Sequence, residues 1–317
     1  MYFLTDISAL LYASSFTVGA IAAAAPLYSE TINKAGGGPL NSVVLTAISA
    51  GAIKELQLAY FLENMEASFF NAGLRNLTDK IAAQEEVHLS SIASVLKSYN
   101  KTLIPPCNYS FPVNTTEEFL ELAHTITSVG IGATIGLNER LTITDPLLVK
   151  SISSILTVES RHDAFFRHIR GAVPNPAPFD TGISNIWAYN LAFSFIQPGS
   201  CSVEVPIPIL PRLAVSQLPR TLYTNSIESN DQREFTWDPM QTPFVTEGSK
   251  QLFIGWVSQL NKPVYTPLNI TAKGKGTANV LRGLNGVVFA AVTVQQLDDA
   301  NNLAPATLAG PVAILLS

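Results

Sequence analysis

The chain has 317 residues, 47% of them hydrophobic and only 14% charged, which supplies one large core or two and excludes a disordered polymer. Its net charge is −5 and no run of Lys or Arg forms a basic stripe, which argues against a nucleic-acid partner.

In chain order, residues 7–25 (ISALLYASSFTVGAIAAAA) form an apolar run that ends in small side chains. The pattern predicts a secretory signal over residues 1–25, cleaved after Ala20-Ile21-Ala22 or Ala22-Ala23-Ala24, with no membrane span in the mature chain. An uncleaved anchor is the other reading, because the run approaches the roughly 20 residues that cross a bilayer. Four acceptor sequons, at Asn76, Asn108, Asn114 and Asn269, agree with secretion to the exterior or the cell wall. So do the two cysteines, Cys107 and Cys201, read as one disulfide of an oxidising compartment; two buried thiols are the alternative.

Residues 34–41 (KAGGGPLN) read as a flexible lead-in. Apolar residues then recur at helical spacing, predicting helices over about residues 43–74 and 79–96. A third helix starts at a capping box, Thr115-x-x-Glu118, and runs to about residue 138. The fourth takes Asp145 as N-cap and Pro146 as its first helical residue, and stops at Gly171. A shorter fifth covers about residues 185–196. Short connections make the first and second helices, and the third and fourth, antiparallel neighbours. About seventeen residues, with Pro105, Pro106 and Pro112, separate the two hairpins. At roughly 3.3 Å per residue they can run the length of a bundle. Two hairpins joined by one long crossover form a ferritin-like four-helix bundle, expected over residues 42–200.

After residue 200 the pattern changes to short β-branched runs separated by Pro, Gly and Asn. Strands are predicted over about residues 203–210, 233–237, 251–257, 264–271, 286–294 and 311–316, and residues 274–286 (GKGTANVLRGLNG) read as turns. An Ig-like β-sandwich over residues 201–317 is the expected closure, so the fold class is α+β.

Two stretches carry the chemistry. KIAAQEEVHLSSIA (80–93) and ILTVESRHDAFF (155–166) each place a Glu three residues before a His inside an apolar repeat, using two of the four histidines in the chain. Residues i and i+3 share a helix face. Glu85 with His88, and Glu159 with His162, therefore each deliver an oxygen and a nitrogen to one point. The equal offset of 74 residues between the pairs sets them at matching heights. A carboxylate-rich bundle uses two such pairs, plus a Glu from each of two other helices, to hold two metal ions. Carboxylates with imidazole suit Fe or Mn, and the cation makes their burial tolerable. Glu63 and Glu66 add carboxylates on the first helix. A single Glu-x-x-His would more often mark a solvated face; two copies on the helices that the bundle requires favour metal.

LENMEASFF (62–70), AAQEEVH (82–88), SVGIGATIG (128–136) and ILTVESRHDA (155–164) resemble the ferritin-like domain of desiccation-related and fungal stress or late-sexual-development proteins. The C-terminal strands resemble the β-rich extension of the fungal members. The resemblance implies metal ligation by Glu63, Glu85, His88, Glu159 and His162. It also places Phe70 where ferritin-like proteins often have Tyr. One position departs: Thr127 stands where the third helix should supply a Glu, and His124, one turn earlier, is the candidate substitute, a surface histidine being the simpler reading. That loss leaves a second ion with fewer ligands. The functions that follow are a secreted di-metal protein acting on peroxide or dioxygen, or a non-enzymatic glycoprotein of the cell surface or wall that uses the bundle as a scaffold. Iron storage fits less well, because a β-domain and glycans would hinder a shell.

Overall fold

The computed structural model describes residues 16–18, 27–40, 47–73, 75–216, 231–240 and 251–316. Two helical hairpins make its first half. In the first, α2 (Ala50–Ala72) packs on α3 (Arg75–Ser98); in the second, α4 (Thr116–Thr144) packs on α5 (Pro146–Ile169). From Leu56 to Phe70, α2 is apolar on nearly every side and buried accordingly. The capping box at Thr115 is present as expected, with Thr115 Oγ1 accepting from the Glu118 N–H and the Glu118 carboxylate accepting from the Thr115 N–H. Asp145 starts α5 by position, but its carboxylate does not cap that helix. It accepts from the backbone N–H and hydroxyl of Ser49, and so pins the α4–α5 turn to the start of α2.

A short helix, α1 (Ser29–Ala35), not expected from the sequence, precedes the lead-in read over residues 34–41 and ends inside it. The glycines of KAGGG are its stop signal: Gly36 adopts φ +86° and returns its N–H to Asn33 and Ile32. The crossover between the hairpins carries β2 (Tyr109–Phe111), paired with β1 (Phe16–Val18), whose three residues are the only part of residues 1–26 described. The disulfide forms as expected, joining the crossover at Cys107 to Cys201 at a sequence separation of 94. By loop-closure entropy a link of that span contributes on the order of 4 kcal/mol.

Beyond α6 (Asn185–Phe193) come β3 (Leu213–Val215), β4 (Gln232–Trp237), β5 (Leu252–Ser258), β6 (Val264–Ala272), β7 (Lys275–Asn279), β8 (Gly286–Thr293), the short α7 (Ala300–Leu303) and β9 (Ala309–Leu316). They form one antiparallel sheet of seven strands in the order β3-β4-β7-β6-β5-β8-β9. β3 also lies against β9, and Gly310 donates its N–H to Pro211 O, so the sheet folds over on itself. Its core holds Phe235, Trp237, Ile254, Trp256 and Val288. The expected C-terminal β-domain of the α+β fold is thus present, and β6 joins its two parts, residues 264–268 pairing with β5 and residues 269–272 with β7. The segment 203–210 is not a strand: Pro206, Pro208 and Pro211 remove ladder donors there. Conversely, of residues 274–286, expected as turns, Lys275–Asn279 form β7, between the left-handed Gly274 and the turn that holds the left-handed Gly283.

Bundle and sheet share a core. Val257, Phe289 and Leu303 belong to the same apolar cluster as Phe61, Phe166 and Trp187, and Trp187 Nε1 donates to Thr307 Oγ1 at 2.9 Å. Glycines on α4 make this possible. A Cβ at Gly136 would meet Ile183 O at 2.0 Å, and one at Gly132 would meet Thr181 O at 2.6 Å. Gly136→Ala is therefore expected to lower stability by about 1–3 kcal/mol or more through overpacking, read as a drop in Tm.

Candidate metal centre

Helical spacing brings both Glu-x-x-His pairs to one interior point. Glu85 is 0% exposed, Glu159 4%, His162 5% and His88 7%. Glu85 directs one oxygen to each histidine: Oε2 lies 3.1 Å from His88 Nδ1 and Oε1 lies 3.0 Å from His162 Nδ1. Glu159 does the same, with Oε1 3.0 Å from His88 Nδ1 and Oε2 3.5 Å from His162 Nδ1. Glu63 comes from α2 and sets Oε2 3.9 Å from His88 Nδ1. Two triads result, Glu63–Glu85–His88 and Glu85–Glu159–His162, and Glu85 belongs to both.

Several of these close approaches are not hydrogen bonds. Glu85 Oε1, both Glu159 oxygens, Glu63 Oε2 and His162 Nδ1 have no aligned partner among the described residues despite complete burial of those atoms. Lone pairs that crowd together without pointing at one another's protons converge on points between them, as metal ligands do. The charges fit as well. Glu63, Glu66, Glu85 and Glu159 would carry four negative charges, which two divalent cations cancel while the histidines stay neutral.

Without a cation the cluster must hold protons. Burial alone would depress His88, but Glu159, Glu85 and Glu63 hold its pKa well above the ordinary 6.5. Burial likewise works against charged His162, yet Glu159 and Glu85 raise it to about 9. Burial pushes Glu85 up, and the two histidines overcome this and bring it down to about 2. Glu63 and Glu66 go the other way: burial first, and then neighbouring carboxylates, keep both well above the usual range.

Two contributors were not foreseen. Gln84 Oε1 accepts from His162 Nε2 at 2.7 Å, while Gln84 Nε2 donates to Ala35 O at the end of α1. The α1 carbonyl fixes which way the amide points, and the amide places the Nε2 proton, leaving Nδ1 of a neutral His162 to face the carboxylates. The second is Gly130 on α4. A Cβ there would stand 2.6 Å from Glu66 Oε1, so the Glu66 carboxylate occupies the space that a side chain at this position would fill. Glu66, 5% exposed, thus brings from α2 a carboxylate to the flank where α4 offers only Thr127. Thr127 is fully buried and its hydroxyl has no partner among the described residues.

His124 is neither a ligand nor a surface residue. It is 2% exposed; Nδ1 is bonded to Asp163 Oδ1, and Nε2 accepts from Arg167 Nη1 at 3.0 Å. Ser128 Oγ joins the same Asp163 oxygen at 3.1 Å. The buried network clamps α4 to α5 beside the centre. His124→Gln is expected to leave metal content unchanged and to lower Tm by the equivalent of about 1–3 kcal/mol, the cost of unpairing buried polar groups. Of the sequons, Asn114 and Asn269 are exposed and Asn108 is half-buried, while Asn76 lies in the first turn of α3.

Residues 51–172, which span the whole centre, match the family model described as a ferritin-like domain. The chain is also similar to Protein rds1 of Schizosaccharomyces pombe, with 24% identity over an alignment that covers 70% of this chain and 67% of that protein.

Proposed function

We infer that this chain, which carries a ferritin-like domain over residues 51–172, is a secreted protein that binds Fe or Mn, as one ion or two, and serves redox chemistry on peroxide or dioxygen. The observation that carries the reading is the Glu85 carboxylate, with one oxygen turned to each histidine. Bound ions of this kind supply a Lewis acid and a redox centre. Glu63, Glu85, Glu159, His88 and His162 would hold the ion or ions, and Gln84 would hold His162 in its ligand tautomer. Phe70 stacks on Phe166 with ring centroids 5.6 Å apart, one to two helical turns from the ligands, and this apolar lid keeps water from that side. Phe70 offers no phenol hydroxyl, so no ligand or hydrogen-bond donor comes from that position. Support for secretion comes from the apolar run at residues 7–25, the Cys107–Cys201 disulfide and the exposed sequons at Asn114 and Asn269.

A second reading, a surface glycoprotein without bound metal, draws on Thr127, where α4 lacks a carboxylate. The two separate on metal content after reconstitution with Fe(II) or Mn(II) and desalting. The redox reading expects one to two ions in the wild type, none in Glu85→Ala or His162→Ala, and peroxide consumption only in the loaded protein. Metal-free wild type, with Tm unchanged in both variants, would leave the scaffold.

A further inference from the structure

A narrow cavity of about 40 Å³ runs between α2, α4 and α6, room for a few water-sized molecules and nothing larger. On α2 its wall is one helical stripe, from Glu55 through Leu58, Ala59 and Leu62 to Glu63 and Glu66. At 1.5 Å per residue that stripe is roughly 16 Å long. α4 lines the other side in the opposite sense, from Gly130 through Ala133 and Leu137 to Arg140. The space exists because the facing side chains are small: Ala59 on α2, Gly130 and Ala133 on α4, Ala188 on α6.

The two ends differ in chemistry. The inner end is formed by the carboxylates of Glu63 and Glu66, members of the metal cluster. At the outer end Arg140 Nη2 donates to Glu55 Oε2 at 2.9 Å, and Asn185 Nδ2 donates to Glu55 Oε1 at 3.0 Å. Arg140 Nε and Nη1 are buried with no partner among the described residues, and Nη1 lies 3.0 Å from where a Cβ on Gly136 would stand, so the guanidinium is packed against α4. Between the ends the wall is apolar except for Thr134, whose hydroxyl is already committed to Gly130 O.

We propose that this cavity is the passage by which neutral molecules of two or three atoms, dioxygen or hydrogen peroxide in size, reach the centre, with the Arg140–Glu55–Asn185 cluster closing its mouth. The proposal rests on the metal-binding reading above. A bare cation would lose its hydration along an apolar wall with nothing to replace it, whereas a small neutral molecule loses little. An organic substrate does not fit the bore.

The test uses protein loaded with Fe(II) in the absence of oxygen and nitric oxide as a neutral two-atom probe, followed by the rate at which the ferrous-nitrosyl absorption appears. Ala59→Phe narrows the passage from a half-buried position, and Ala133→Leu does so from the facing helix, so the test does not depend on one variant folding. Both are expected to keep the wild-type iron content and to bind nitric oxide at least roughly tenfold more slowly, the effect of about 1.4 kcal/mol on a barrier. Unchanged rates in folded, iron-loaded variants would overturn the passage while leaving the metal site intact. Slower iron loading with unchanged nitric oxide binding would also overturn it, and would assign the cavity to cations. A wild-type chain that takes up no iron would instead overturn the metal reading on which the passage depends.

Discussion

Glu85→Gln should remove both metal positions at once. Each oxygen of this carboxylate faces a different histidine, and the residue belongs to both triads. The amide keeps the size but loses the charge and half of the lone-pair capacity. Loss of a supporting group around a metal ligand already costs about 10–100-fold in affinity, and a shared ligand should cost more. Metal content after desalting should fall to background. The metal-free protein should suffer too, because two buried imidazoliums lose a carboxylate that faces both of them and that they hold in its ionised form. Removing one partner from a buried ion pair typically costs about 3–5 kcal/mol; proton loss by the histidines would relieve part of it. Glu86→Gln is the control. Glu86 is adjacent in sequence, but its Oε1 accepts from Asn71 Nδ2 at 3.0 Å, outside both triads, and this variant should match the wild type in metal content.

The second large effect is on pH. The metal-free protein should lose stability as pH rises from about 6.5 to 9. His162 titrates near 9 in the fold against an ordinary 6.5, so its contribution is complete below pH 6.5 and is lost as pH passes through 9. A difference of that size corresponds to about 3 kcal/mol. His88 shifts in the same direction. Glu63 and Glu66, also raised, hold protons that the unfolded chain has released, and so add to the decline. Glu85 acts at the other end: lowered to about 2 from an ordinary 4.5, it stabilises above pH 4.5 and that contribution is lost as pH falls toward 2. A bound cation takes the place of the protons, so metal affinity should rise with pH and binding should release protons. Melting curves of loaded and metal-free protein between pH 5 and 9, with calorimetric titrations in two buffers of different ionisation enthalpy, check both halves. Parallel curves and no proton release would contradict the prediction.

The parts of the centre that were legible in the sequence are those built by local geometry. An i,i+3 pair lies on one helix face whatever surrounds it, and a repeat of that pair on a helix that the loop lengths had already placed made Glu85, His88, Glu159 and His162 readable. The parts that were missed depend on contacts distant in sequence. Gln84 matters because the carbonyl of Ala35, the last residue of a short helix that the sequence did not announce, orients it. His124 had no visible partner because Asp163 is 39 residues away. Thr127 read as a lost ligand, but its neighbourhood is served by Glu66 across a gap that only Gly130 leaves open. In the β half, alternation found most strands. Prolines removed the one over 203–210, and glycines concealed β7.

The central claim is that six acidic and imidazole side chains share one interior point because a cation belongs there. Anomalous diffraction at the manganese edge, from crystals soaked in Mn²⁺, tests it most directly. The account predicts anomalous density between Glu85, Glu159, His88 and His162, with Glu63 on its flank. Crystals that show no such density, with both histidines still closed onto the carboxylates, would contradict it.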